Sequence, residues 1–213
     1  METLNDFKLK YKKKPIYTFL KRFGDILLSF LGIVVLSWLF IIIAILVKCT
    51  SKGPVFYVSE RIGKNQKPFK IYKFRSMRVG ADKEINELLS QSEREGTFKM
   101  KNDPRVTKFG KFLRKTSLDE LPQFFNILNG TMSIVGPRPC VQRELESMND
   151  FQKNRFLVKQ GLTCIWQVSG RANTSFEEQL QMYLDYVNKR GFWFDIWLMI
   201  KTIPAVLFHR GAE

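Results

Sequence analysis

From Ile26 to Val47 the chain reads ILLSFLGIVVLSWLFIIIAILV, an apolar run without a single charge. Wound as a helix it would measure roughly 33 Å at about 1.5 Å per residue, close to the thickness of a bilayer's hydrocarbon core. A core helix of a water-soluble domain would show a polar face instead. The run is too long for a cleavable signal peptide, and no small-residue cleavage site follows it. Basic residues stand on both sides: Lys8, Lys10, Lys12, Lys13, Lys14, Lys21 and Arg22 before it, and Lys48, Lys52, Arg61, Lys64 and Lys67 after it. A straight span would carry one of these flanks across the membrane, against the positive-inside tendency. The pattern favours a re-entrant helix that enters one leaflet, bends and returns, with Gly32 and Ser37 as the weak points and no proline to force the kink.

The chain of 213 residues has room for one domain beside such an anchor. It divides into a basic N-terminal segment (1–22), the membrane helix (23–50) and the remaining domain (51–213). A net charge of +15 requires an anionic partner: nucleic acid, anionic lipid, or the phosphates of a nucleotide or lipid. Cys49, Cys140 and Cys164 are far apart and lack metal-type spacing, so they fit reduced packing roles. His209 is the only histidine and sits near the C-terminus, which leaves histidine general-base schemes without support.

Past the breaker at Ser51-Lys52-Gly53-Pro54, Val55 to Val58 and Phe69 to Arg75 alternate as short strands, with Gly63 to Pro68 as their turn. The alternation puts Lys73 and Arg75 on one face, as a charged strand edge or as a phosphate clamp. A polar helix is expected at about 82–95 and a basic amphipathic helix at 106–115, where Phe109, Phe112 and Leu113 form the apolar stripe. The aromatic segment from Phe192 to Ile200 is interrupted by charge and suits the headgroup boundary rather than a span. The fold class expected is mainly α with a small β-hairpin, on a monotopic membrane protein with interfacial amphipathic helices.

Between Thr116 and Pro139 the sequence TSLDELPQFFNILNGTMSIVGPRP holds an adjacent Asp119-Glu120 pair and an arginine between two prolines. Ser117 and Glu120 have the spacing of a capping box, which would aim a helix N-terminus at Asp119 and keep its carboxylate ionised, with Pro122 moving the first turn a residue or two later. Such a carboxylate suits a nucleophile or a ligand for a hard cation, although acidic residues also occupy first turns simply to complement the dipole. Arg138, held in Gly136-Pro137-Arg138-Pro139, offers a planar two-point donor on a restricted backbone.

The ordered set KRFGD (Lys21 to Asp25), SKGPVFY (Ser51 to Tyr57), KIYKFRSM (Lys70 to Met77), the stretch from Asp103 to Pro139, GLTCIWQVSGR (Gly161 to Arg171) and LDYV (Leu184 to Val187) resembles the bacterial sugar transferases, specifically the small monotopic phosphoglycosyl transferases. The resemblance implies transfer of a sugar-1-phosphate from a nucleotide diphosphate sugar, by default a UDP-sugar, to polyprenyl (undecaprenyl) phosphate at the cytosolic face of the bacterial inner membrane, opening the assembly of a glycan. It implies that Asp119 is the nucleophile of a covalent phosphosugar intermediate, that Glu120 assists, and that the two hold Mg2+. Phosphate and substrate contacts then fall to Arg138, Lys73, Arg75, Gln167 and Arg171.

Three positions depart from the family pattern. Trp38 follows Ser37 where a proline is usual, Gln160 replaces the proline before the Gly-hydrophobic-Thr motif, and Cys164 replaces the glycine after it. Charge and interleaved aromatics also fit a membrane-tethered nucleic-acid-binding protein, but no groove-binding or RNA-binding motif accompanies them, so nucleic acid is not an expected partner. A non-catalytic membrane scaffold is the other alternative, and the sequence leaves the oligomeric state, a homodimer included, open.

Overall fold

The computed structural model describes residues 9, 11–92, 98, 100, 102–169 and 174–207. The apolar run is broken: helix α1 spans Pro15–Val35, helix α2 spans Ser37–Thr50, and they meet at Leu36 with a bend of 62°. No single helix among the described residues is long and apolar enough to cross a membrane. Pro15 suits the first turn of α1, where its missing N–H would have no partner in any case. The bend forms without a proline, and packing accounts for it. Gly32 lies against the ring of Phe124, where an added Cβ would stand only 3.2 Å from a ring carbon. This close approach beds α1 on α5 (Gln123–Asn129). α2 turns onto a different surface, burying Ile43 and Val47 with Phe74 and Leu113. Phe40 stacks into the same corner, its ring 5.5 Å from Phe74 and 5.9 Å from Phe125. A straight helix could not lie on both surfaces.

α1 is amphipathic in reverse. Asp25 and Ser29 are buried, while Ile16, Phe19, Phe23, Phe30 and Val34 are exposed. The inward stripe is fully bonded: Lys21 Nζ meets Asp195 at 2.6 Å, and Arg22 donates to the carbonyls of Ile127 (2.6 Å) and Leu128 (2.8 Å). The Asp25 carboxylate accepts from Ser133 Oγ (3.1 Å) and Ile134 N–H (3.0 Å). Arg22 therefore serves the orphan carbonyls at the C-terminus of α5, where a positive charge is also favoured by the helix dipole.

The expected hairpin forms, with a longer first strand than the sequence suggests and the second shifted by one residue: β1 (Phe56–Ile62) pairs antiparallel with β2 (Pro68–Phe74). The turn between them is tightened by left-handed Asn65 (φ 56°) and Gln66 (φ 59°). β2 is the spine of the domain, because Ile71 packs with Ile127 and Met132 while Phe74 packs beneath α2. Its free edge is closed by a side chain: buried Asn126 accepts from Tyr72 N–H (2.9 Å) and donates to the Lys70 carbonyl (2.7 Å), acting as a strand would.

The polar helix expected at 82–95 is broken, within the described residues, into a 3-10 turn (Ala81–Glu84), a short helix α3 (Ile85–Leu88) and a second 3-10 turn (Leu89–Gln91). The basic helix is α4 (Lys108–Lys115), capped by Thr107, whose hydroxyl accepts from Gly110 N–H at 2.9 Å. The chain continues through α5, β3 (Ser133–Val135), α6 (Gln142–Glu146), β4 (Gly161–Thr163), α7 (Ile165–Ser169), α8 (Phe176–Lys189) and α9 (Phe192–Leu207). β3 and β4 pair in parallel, and with α8 and α9 they enclose the largest core, around Val135, Cys164, Tyr183, Tyr186 and Leu198. The aromatic C-terminal segment is the amphipathic helix α9, which buries Asp195 and Leu198 and exposes Trp193, Trp197, Ile200 and Ile203. Cys49 is exposed, and Cys140 and Cys164 are buried free thiols.

Arg75 does not join a phosphate clamp. Its guanidinium is buried and donates to the carbonyls of Ser51 (2.7 Å) and Lys52 (2.7 Å) and to Ser51 Oγ (2.7 Å), so it closes the C-terminal end of α2. The strand ends at Phe74, and the alternation that would pair Arg75 with Lys73 ends with it. Arg75→Ala should cost about 2–4 kcal/mol of stability, because buried carbonyls lose a charged donor. Thermal unfolding in detergent should show the loss, with nucleotide affinity of the folded fraction unchanged; a weakened affinity at unchanged stability would restore the clamp.

Candidate active site

Asp119 and Glu120 close a single 3-10 turn, Leu118–Glu120, ahead of α5. The capping box between Ser117 and Glu120 does not form: Ser117 adopts a left-handed φ of 57° and its side chain caps nothing. Pro122 supplies the reason. In a helix starting at Leu118 the proline ring would strike the Leu118 carbonyl and could not donate to it. That carbonyl instead accepts from Leu121 N–H at 3.3 Å, and the α-helix begins at Gln123. Asp119 therefore lies outside the first turn of α5, and the dipole does not hold its charge as the sequence suggests.

Burial pushes the Asp119 carboxyl upward from the ordinary aspartate range, the neighbouring Glu120 adds to this, and Lys73 is the strongest opposing influence. The Lys73 ammonium sits 2.6 Å from Glu120 Oε1 and 3.6 Å from Asp119 Oδ2. It is the group that favours an ionised Asp119. Arg114 also favours the charged form of Asp119, and its Nε donates to Ser76 Oγ at 2.9 Å. Arg114 belongs to the basic helix expected at 106–115 and was not singled out as a site residue. Its position at the end of that helix, four residues before the Asp119 turn, was the available signal.

Arg138 reaches the same cluster, with Nη1 3.6 Å from Glu120 Oε1 and nearly half of its side chain open to solvent. Its loop is fixed from several sides. Gly136 N–H donates to the Thr163 carbonyl (2.8 Å), Gly161 N–H donates to the Pro137 carbonyl (2.9 Å), and the buried Arg155 donates to the carbonyl of Arg138 itself. The contact requires two glycines: a Cβ on Gly161 would lie 2.1 Å from Gly136 N, and one on Gly136 would lie 2.3 Å from the Lys159 carbonyl. Arg155 in turn lies over the Tyr183 ring at 4.2 Å.

Lys73, Glu120 and Arg138 line an open cavity that the buried Asp119 does not itself line. Lys73, Glu120, Arg138 and Gln167 face it as expected, and Arg61, Gln123 and the Gly161-Leu162 backbone join them. Arg61 and Gln123 were not singled out as site residues. Arg171 and His209 lie outside the described residues. Gln160, where the family pattern has proline, is buried, and its carbonyl accepts from Ser133 N–H at 2.9 Å. Among the described residues no cluster of three or more acidic, histidine or cysteine side chains could cage a metal ion. Glu120 and three cations around one cavity, with Asp119 3.6 Å from Lys73, are a donor set for phosphate groups and for a cation that arrives with them.

Residues 16–209 match the family described as bacterial sugar transferase. The chain is 43% identical over 197 residues to the galactosyl transferase CpsE of Streptococcus agalactiae serotype III (strain NEM316), covering 91% of this chain and 43% of that protein. It is 41% identical over 204 residues to the exopolysaccharide production protein ExoY of Sinorhizobium fredii (strain NBRC 101917 / NGR234), covering 93% of this chain and 90% of ExoY. Against the UDP-glucose:undecaprenyl-phosphate glucose-1-phosphate transferase of Escherichia coli (strain K12) the identity is 40% over 201 residues, 91% of this chain and 41% of that protein. The chain thus spans less than half the length of some relatives and nearly all of another. On the match along almost its whole length, this chain belongs to the bacterial sugar transferase family.

Proposed function

We propose that this protein transfers a sugar-1-phosphate from a nucleotide diphosphate sugar to polyprenyl phosphate at a membrane surface. The observation that carries the reading is the buried Asp119 beside Lys73, which with Glu120 and Arg138 lines an open cavity. Relatives named as an undecaprenyl-phosphate galactose phosphotransferase and a glucose-1-phosphate transferase support the same chemistry with different sugars. A UDP-sugar and undecaprenyl phosphate are therefore the first substrates to try.

In the proposed first step an Asp119 carboxylate oxygen attacks the phosphorus that bears the sugar. The bond from that phosphorus to the bridging oxygen breaks, and the nucleoside monophosphate leaves with the electron pair. A phosphate oxygen of the polyprenyl carrier then attacks the same phosphorus and displaces Asp119. One phosphoanhydride replaces another, so no ATP is consumed. Lys73 favours the ionised form of Asp119 against burial, and Arg138 binds the charge that grows on the phosphate oxygens. Mg2+ fits the donor set, since it prefers one or two carboxylates with the remaining places filled by water and substrate phosphate. Asp119 and Glu120 would hold it, and bound there it would neutralise phosphate charge.

The surface supports a membrane location. α1, α2 and α9 expose Phe19, Phe30, Trp38, Ile41, Trp193 and Ile203, and α4 exposes Phe112 among Lys108, Lys111 and Lys115. Apolar side chains ringed by lysine suit an anionic lipid surface. We propose that the bent α1–α2 pair is re-entrant in the cytosolic leaflet of the bacterial inner membrane, with both ends and the catalytic domain on the cytosolic face.

Asp119→Asn should lower turnover by about 10³-fold or more and abolish covalent labelling by a radiolabelled sugar donor, with the thermal unfolding profile retained. Near-normal nucleoside monophosphate release by the purified variant would end the mechanism. Chelation of divalent cations should stop turnover, and added Mg2+ should restore it; a rate indifferent to chelator removes the metal from the scheme. Single cysteines at positions 5 and 52, with Cys49 replaced by serine, should both be protected from an impermeant thiol reagent in intact cells. Labelling of position 5 alone would show a full span.

A further inference from the structure

Arg61 sits at the end of β1 and faces the cavity across from Lys73 and Glu120. Among the described residues its guanidinium donates one hydrogen bond, to the carbonyl of the preceding residue, Glu60, at 3.2 Å. Among the described residues no carboxylate oxygen lies within 4.0 Å of its guanidinium. An antiparallel bridge between Ile62 and Cys140, with Ile62 N–H donating to the Cys140 carbonyl at 2.9 Å, ties the end of β1 to the loop that carries Arg138. The backbone therefore brings the two arginines to one cavity wall and holds them there. Their mutual effect is unfavourable: burial first, and then Arg138, disfavour the charge on Arg61. Glu144 on α6 lies behind them, where burial raises its carboxyl and Arg155, Arg138 and Arg61 pull it down, so the wall is partly balanced from the protein side.

Two fixed like charges facing an open cavity are stabilised by an anion that spans both. We propose that Arg61 and Arg138 form a two-arginine clamp for the diphosphate of the donor, with Arg61 taking the phosphate that Arg138 and the carboxylate cluster do not reach. A guanidinium presents two parallel N–H donors to one phosphate, so a pair of them matches a diphosphate and exceeds what a monophosphate or a lipid phosphate needs. The assignment rests on the reading of the cavity as a nucleotide-sugar site, and it makes Arg61 a determinant of donor binding rather than of the chemical step.

The test is titration of the full-length protein in detergent with uridine, UMP, UDP and inorganic pyrophosphate, for wild type, Arg61→Gln and Arg61→Lys. Arg61→Gln should weaken UDP and pyrophosphate about 10-fold or more, UMP less and uridine least. Arg61→Lys should recover part of that loss, since it keeps the charge and gives up the two-point grip. In turnover, Arg61→Gln should raise KM for the donor with kcat within about 3-fold. If Arg61→Gln unfolds, Arg61→Lys alone must still separate diphosphate from nucleoside. Equal losses for uridine and UDP, or UDP affinity matching wild type in a folded variant, would overturn the clamp. Failure of the wild type to bind any of the four probes would instead overturn the nucleotide-sugar reading, and the clamp with it.

Discussion

Arg22 donates to the last carbonyls of α5, Asp25 receives the N-terminal end of β3, and Lys21 meets Asp195 on α9, so one narrow face of an apolar helix fastens three elements at once. These bonds are obligatory once the face is covered. A buried aspartate without donors, or a helix end without partners, would cost several kcal/mol in a domain whose total stability is only about 5–15 kcal/mol. The elements so fastened carry the site: Asp119 and Glu120 precede α5, and Arg138 follows β3. The apolar helix α1 is thus part of the scaffold that sets the distance between the carboxylates and the arginine.

Within that scaffold the carboxylate pair sits in a balance of opposed effects. Burial favours a neutral Asp119, which would be a poor nucleophile, and Lys73 and Arg114 favour the charged form. Lys73 reaches it from β2, the strand whose two faces are committed to separate hydrophobic clusters and whose position is consequently rigid. A mobile lysine could not supply the same bias, because its own conformational freedom would have to be lost each time.

The hairpin, the basic helix, the amphipathic character of the C-terminal segment and the break in the apolar run were all legible in the sequence, because alternation and amphipathic spacing report local backbone directly. The reason for the break was not. It lies in Phe124 meeting Gly32 and in Phe40 entering the Phe74 corner, contacts between residues far apart in the chain. The Ser-x-x-Glu pattern shows the limit of local reading most clearly. At Ser175 and Glu178 it forms a true capping box at the head of α8, while at Ser117 and Glu120 the same spacing gives a left-handed turn because Pro122 follows. Asp119, Glu120, Lys73, Arg138 and Gln167 were readable as a set only through the ordered motifs. Arg75 was misplaced because nothing local says that a strand stops one residue earlier, and Arg61 was passed over as one basic residue among many flanking the apolar run.

The inverted face of α1 also bears on how such a protein can be divided. A typical tail anchor is a module: it can be cut away or exchanged, and the domain it carried remains folded in water. Here, removing the chain before β1 would strand the carbonyls of Ile127 and Leu128, leave Ser133 and Ile134 without their acceptor, bare Phe74 and Leu113, and deprive Arg75 of the helix end it closes. The bonds that hold the domain together and the apolar side chains left open to the outside lie on opposite sides of one helix, so this helix could not be exchanged for another without rebuilding the interior of the domain.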